Sequence, residues 1–186
     1  VTCVVGLVHQ GTVWLGADSA AIGGTDYTIR RDLKIFAKDA MIFGFTSSFR
    51  MGQIIRTSLN LPEHSVNVDD MTYLTSTFMD AVLTCFQEKS FAKVENNEAT
   101  GGTFLVGYRG NLYEVSDDFQ VCAPALPYEA VGCGADYAKG AMKILETTKL
   151  SPKSKILRAL EASSAFSCGV LPPYHVISLA GAERNA

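Results

Sequence analysis

Thr2, Asp18 and Lys34 have the types and placement for nucleophilic catalysis. A threonine hydroxyl is a weak nucleophile until a base removes its proton, and a threonine with a free α-amino group carries that base itself. The amine has an ordinary pKa of about 7.7–8.0, so a fixed cation beside it makes it a competent base at neutral pH. Lysine supplies such a cation, and a buried lysine needs a carboxylate to remain charged. Val1 precedes Thr2, and an acylated nitrogen is no base, so this chemistry requires the Val1–Thr2 bond to be cut. A non-ATG start codon is decoded as formyl-methionine but written as Val in a literal translation, and initiator removal is easiest before a small residue. Val1 is therefore expected to be a removed initiator, leaving Thr2 first.

Strands must bring the three residues together. TCVVGLV, a turn at HQG, and TVWLGAD alternate short β-branched and aromatic runs with turn residues. A polar, Gly-containing excursion, AIGGTDYTIRRD, leads to LKIFA, a turn at KDA, and MIFGFT. Asp18 closes the second run and Lys34 opens the third, so adjacent strands can place both beside the start of the first. The period then becomes helical. Ser47 and Ser48 are cap candidates ahead of Met51, Ile54 and Ile55, and Met71, Leu74, Phe78, Val82, Cys85 and Phe86 form a core stripe after Asp69 and Asp70.

FAKVENNEAT reads as a polar loop, GGTFLVGY-RGN-LYEVS as a hairpin, and FQVCA as a further strand. GADYAKGAMKILETT and SPKSKILRALEAS predict two helices, the second with Ser151 as N-cap and Pro152 at its first position. Pro172 and Pro173 end the helical run before a last strand, YHVISLA. Strands, two helices, strands, two helices and a final strand predict an α+β fold. Two antiparallel sheets would pack face to face with helices outside each, a four-layer αββα sandwich, in one domain over residues 1–186.

Composition narrows the function. With 47% hydrophobic and 19% charged residues the chain can bury a full core, and a net charge of −3 argues against nucleic-acid binding. Five dispersed cysteines with no CxxC pair suggest neither a disulfide framework nor a zinc site, and fit a reducing cytoplasm. The apolar start has no basic leader and is too short to span a bilayer, so no membrane role is expected. GxSxG, Walker and HExxH motifs are absent, and His9, His64 and His175 lack metal spacing.

Along nearly its whole length the sequence resembles the threonine-dependent N-terminal nucleophile hydrolases, the proteasome β subunits and HslV-type peptidases. In that family an acidic residue follows the N-terminal threonine by 16 positions and a lysine by 32, the offsets of Asp18 and Lys34 from Thr2. The segments TCVVGLVHQGTVWLGADSAA, RRDLKIF, MIFGFTSSFRMGQII, GGTFLVGYRGNLYEVS and EAVGCGADYAKGAM carry the resemblance. It implies the αββα fold, amide-bond hydrolysis of peptides or unfolded proteins without a cofactor, and identical subunits in stacked six- or seven-membered rings, which an ATPase could feed. It makes Thr2 the nucleophile and base, Lys34 the group that tunes the amine, and Asp18 the residue that holds Lys34. The backbone N–H of Ser47, where the family usually has glycine, would receive the oxyanion.

Two positions depart from the family pattern. Cys133 replaces a supporting serine, and Ser164-Ala165-Phe166-Ser167 keeps Ser167 but lacks the family's aspartate at 164. A thiol is a weaker hydrogen-bond partner than the serine it replaces, and because the family's aspartate helps orient the threonine, its loss puts rate in question more than fold. Asp32 and Ala21 lie near positions that line the family's specificity pocket, and the acidic residue predicts a preference for basic side chains. The competing readings are a catalytically silent ring subunit, a small-molecule amidase on the same fold, and a variant using Cys3 as nucleophile.

Overall fold

A computed structural model describes residues 2–91, 93–95 and 98–181. The first two runs form a tight hairpin, β1 (Cys3–His9) and β2 (Thr12–Ala17), in register from Val4 opposite Ala17 to His9 opposite Thr12. Its turn residues, Gln10 and Gly11, both have positive φ (50° and 70°), the two-residue geometry that matches the twist of the flanking strands. The excursion after Asp18 is itself a hairpin, β3 (Ala20–Gly23) with β4 (Asp26–Ile29), paired only to each other. β5 (Ile35–Lys38) and β6 (Met41–Phe45) follow as expected.

Next come α1 (Phe49–Thr57), α2 (Asp70–Tyr73), a π-helical stretch (Leu74–Phe78) and α3 (Met79–Glu88). Ser48 caps α1 by accepting the Met51 N–H, and Asp69 caps α2 by accepting that of Thr72. FAKVENNEAT is not the loop the sequence predicts, because β7 (Lys93–Glu95) pairs with β8 (Glu98–Thr100). The central hairpin is β9 (Phe104–Tyr108) and β10 (Asn111–Val115), followed by a two-residue β11 (Val121–Cys122). β12 (Tyr128–Gly132) is a strand the sequence pattern did not announce, since Pro127 and Gly132 leave only a short run between them. α4 (Ala135–Leu145), α5 (Pro152–Phe166) and β13 (His175–Ala180) complete the order.

The strands make two antiparallel sheets, β12-β1-β2-β13 and β11-β10-β9-β6-β5. Val4 and Leu15 of the first meet Ile42, Leu105 and Leu112 of the second in an apolar layer between the sheets. Met51, Ile55, Phe78 and Phe86 cover the outer face of the five-stranded sheet, packing on Phe43 and Phe104. Met142, Ile156 and Leu160 cover the four-stranded sheet, packing on Cys3 and Val5. Gly16 lets α5 approach closely, since a side chain there would overlap Ile156. The four layers are helix, sheet, sheet, helix, which is the αββα arrangement the sequence predicts. Among the described residues no helix is long and apolar enough to cross a membrane.

Candidate active site

The hairpin register decides what meets at the open end of the sheets. Because Val4 lies opposite Ala17, the residue before β1's second position and the residue just past β2 are level. Asp18 therefore reaches back across the hairpin, and its Oδ1 accepts the Cys3 N–H at 3.0 Å. The same oxygen accepts from Lys34 Nζ at 2.8 Å. Lys34 stands immediately before β5, where its carbonyl accepts the Phe45 N–H at 3.0 Å and so ties it to β6. One carboxylate oxygen thus links the backbone beside Thr2 to the lysine ammonium.

Both charges are out of water, with Asp18 2% and Lys34 1% exposed. The second carboxylate oxygen accepts the N–H groups of Ala20 at 2.9 Å and Leu171 at 3.4 Å, so Asp18 is a hub for three backbone donors and one cation. Burial pulls the Lys34 pKa below the usual lysine range, and the Asp18 carboxylate only partly restores it. Arg56, in the last turn of α1, donates to the Leu33 carbonyl at 2.6 Å and fixes the chain just before Lys34.

Cys133 follows Gly132, the last residue of β12, and faces Thr2. Its Sγ lies 3.3 Å from the Thr2 nitrogen, whose N–H it accepts, 3.4 Å from the Thr2 carbonyl oxygen, and 3.3 Å from Ser167 Oγ. Gly132 has φ 99°, and a side chain there would overlap the Thr2 carbonyl oxygen, so glycine is needed for this approach. Ser47 lies just beyond β6 with φ 70°, in the left-handed region. Among the described residues its N–H meets no acceptor, while its Oγ accepts the Thr103 N–H at 3.4 Å.

Thr2 and Ser47 share a pocket of about 60 Å³ with Ile22, Phe45 and Phe49. Asp32 and Ala21 do not line it. A larger cavity of about 650 Å³ lies elsewhere, between Leu126, Tyr128 and Lys139, and contains none of the predicted site residues. Thr2, Asp18, Lys34, Ser47, Cys133 and Ser167 are thus all at one end of the two sheets, whereas Ser164 makes no side-chain hydrogen bond to that group. The expectation about removal of Val1 concerns a residue outside the described ones.

Cys3 points the other way, into the layer beneath α4 and α5. Its thiol donates to Ser163 Oγ at 3.6 Å, and burial pushes its pKa up to about 12, which leaves it no thiolate at neutral pH. Ser163, fully buried, in turn donates to the Gly134 carbonyl at 2.9 Å and so ties α5 to the start of α4. Sequence reading missed Ser163, Leu171 and Arg56. Each acts across a long sequence separation, and nothing in the SSAFS run distinguishes Ser163 from its neighbours.

A buried lysine–carboxylate pair thus lies beside the threonine that leads β1, at the edge of two sheets packed between helical layers. Solved structures supply the comparison. BPH from Thiobacillus denitrificans superposes with a TM-score of 0.82 at 16% identity, over 98% of this chain and 100% of that one. HslV from Trypanosoma brucei gives 0.69 at 16% identity, over 96% and 99%. Anbu, an ancestral beta-subunit from Yersinia bercovieri, gives 0.66 at 14% identity, over 95% and 81%. The chain has the N-terminal nucleophile hydrolase fold of the proteasome β-subunit type. No family model and no curated protein sequence matches it.

Proposed function

We propose that the chain is a threonine-type endopeptidase subunit of a self-compartmentalised, proteasome-like ring, with Thr2 as nucleophile once the bond to Val1 is cut. The observation that carries this reading is the buried Lys34–Asp18 pair, whose carboxylate also binds the backbone N–H next to Thr2. Thr2 Oγ1 attacks the carbonyl carbon of the scissile amide and its proton passes to the free Thr2 amine. The Lys34 ammonium disfavours a second positive charge nearby and so keeps that amine a base. The Ser47 N–H receives the oxyanion, and the protonated amine gives its proton to the leaving nitrogen as the C–N bond breaks. Water, deprotonated by the same amine, then hydrolyses the threonine ester. Cys133, bracketing the Thr2 nitrogen with Ser167 behind it, orients the amine.

Identical subunits assembled in stacked six- or seven-membered rings would confine peptides or unfolded chains at these sites, with an ATPase feeding the chamber, in the cytoplasm. The exposed Tyr137–Phe166 ring pair and Ile144 on the outer helices offer apolar surface for such contacts. BPH has been captured in complex with epoxomicin, which makes that compound a suitable probe. Intact mass of the native protein is expected to begin at Thr2, and epoxomicin to add one mole to Thr2 and none to T2A. Quantitative retention of Val1 with no adduct and no peptide hydrolysis would sink the reading. A silent ring subunit is the second reading, favoured by Ser164 making no side-chain hydrogen bond to the described site residues where the family has an aspartate, and that same result would support it.

A further inference from the structure

The pocket beside Thr2 has a wall whose chemistry follows from an ion pair that does not itself line it. Phe49, the first residue of α1, forms part of the pocket and packs edge-on against Phe45, another wall residue, at 5.7 Å between ring centres. The Arg30 guanidinium stacks over the Phe49 ring, 4.1 Å from its centroid, and Lys34 Nζ lies 5.7 Å from the same centroid. Arg30 follows β4 directly and is fixed by its own backbone, whose N–H donates to the Ser19 carbonyl at 2.9 Å.

The guanidinium also grips Asp32 in a two-pronged ion pair, Nε to Oδ1 at 2.7 Å and Nη2 to Oδ2 at 2.6 Å. Both side chains are about one-third exposed, 34% and 37%. Such forked geometry saturates the carboxylate and fixes both planes. Arg30 holds the Asp32 carboxyl below the usual carboxylate range, and Arg56 adds to this. The only acidic residue in the segment Arg30–Lys34 is therefore already neutralised, within a neighbourhood that also carries Arg31 and Lys34.

Volume points the same way. At about 60 Å³ the pocket is small, which suits a short side chain better than an arginine or an aromatic ring. Beside Ile22, Phe45 and Phe49 the lining carries only hydroxyl side chains, those of Thr2, Thr46, Ser47 and Ser48, so a basic group meets no opposite charge there.

We propose that Arg30 is a specificity-determining residue: by occupying the Asp32 carboxylate and bracing Phe49, it makes the pocket beside Thr2 select small uncharged side chains and exclude basic ones. This reverses the preference that Asp32 alone predicts, and it rests on the reading of Thr2 as nucleophile. Without Arg30, the space over Phe49 opens and a free carboxylate stands behind it, so a basic side chain gains both room and a partner.

The test uses the assembled protein and fluorogenic peptides that differ only in the residue before the scissile bond, alanine or arginine, with wild type, Arg30→Ala, Arg30→Met and Arg30→Ala/Asp32→Asn. Wild type is expected to favour alanine in kcat/KM by at least about tenfold. Arg30→Ala is expected to raise the arginine-to-alanine ratio about tenfold, the lower end of what a one-group change in a pocket discriminates. Arg30→Met keeps apolar packing over Phe49 and is expected to shift the ratio in the same direction, which guards against misfolding of the alanine variant. The gain must disappear in Arg30→Ala/Asp32→Asn, because it depends on the carboxylate. A wild-type preference for arginine, an unchanged ratio in both single variants, or a gain that survives loss of Asp32 overturns the proposal. Thr2-dependent turnover with an unchanged ratio overturns it alone, whereas no turnover and no epoxomicin adduct overturns the peptidase reading as well.

Discussion

The two halves of the buried ion pair are expected to be unequal, and measuring the inequality tests the account of the site. In Asp18→Asn the Lys34 charge is stranded at 1% exposure, and an amide NH₂ turns toward a cluster of donors. Removing one partner of a buried pair costs about 3–5 kcal/mol. In Lys34→Met the carboxylate keeps the Cys3, Ala20 and Leu171 N–H groups, at 3.0, 2.9 and 3.4 Å. What is lost is one charged hydrogen bond of about 1.5–3 kcal/mol, offset by removing an ammonium that burial already disfavours. The net cost is therefore about 1 kcal/mol.

At this chain length 1 kcal/mol moves Tm by about 2–4 °C, so Asp18→Asn is expected to lower Tm by about 6–20 °C and Lys34→Met by only about 2–4 °C. In Asp18→Asn/Lys34→Met no charge is stranded, and about 2 kcal/mol of the Asp18→Asn loss is expected to return. Urea unfolding at a fixed protein concentration is the assay, since assembly makes stability concentration-dependent. A Lys34→Met cost equal to that of Asp18→Asn, or an Asp18→Asn cost below about 1 kcal/mol, refutes the reasoning.

The depressed Lys34 pKa sets opposite trends in stability and activity at alkaline pH. Between that value and the ordinary lysine value of about 10.4 the unfolded chain holds more protons, so the Lys34 contribution to stability rises with pH and is complete above about 10.4. Peptidase activity is expected to fall across the same window as the ammonium is lost, and a stability profile of Lys34→Met identical to wild type there would contradict the assignment. Cys133→Ser is expected to raise kcat/KM about two- to tenfold, since a neutral hydrogen bond contributes about 0.5–1.5 kcal/mol and a hydroxyl is the better partner for the Thr2 amine; a fall in rate argues against the orienting role. Because the Ser47 N–H, not its Oγ, is the proposed oxyanion donor, Ser47→Gly is expected to hold kcat within about threefold, and a loss of about a hundredfold, the scale of a missing donor, would show the hydroxyl itself is needed.

What the sequence made legible and what it hid have a common physical origin. The αββα layering could be read because the short apolar runs TVWLGA and MIFGF, the second buried at every position, and the three-and-four spacing through Phe78 and Phe86 are local records of burial between layers. Asp18 could be placed beside Cys3 because a two-residue turn fixes the β1–β2 register, whereas Lys34 arrives from the start of β5 in the facing sheet and not from an adjacent strand as the sequence reading expected. β12 was hidden, since its five residues are bounded by Pro127 and Gly132 and their partner in β1 is far away in sequence. The hairpin at Lys93–Glu95 and Glu98–Thr100 was hidden behind polar composition, and its two short strands pair with each other and not with either main sheet. At Asp32 the charge was legible from residue type, but its ion pair with Arg30 shows only in the fold.

The ion pair is also the place where folding and function separate. Three backbone N–H groups at the open end of the sheets need an acceptor, and Asp18 supplies it, so its burial has a structural reason in full. Lys34 has no such reason. An apolar side chain in its place is expected to cost only about 1 kcal/mol, because the Asp18 carboxylate left behind still accepts three backbone N–H groups. Its carbonyl bond to Phe45 would survive the exchange, being made by the backbone. What an apolar residue cannot supply is a positive charge one carboxylate away from the Thr2–Cys3 backbone. A charge kept where stability gains little from it is accounted for by the electrostatics of the Thr2 amine, and that makes Lys34→Met the most informative single variant: nearly neutral to folding, and fatal to hydrolysis if the proposed chemistry is right.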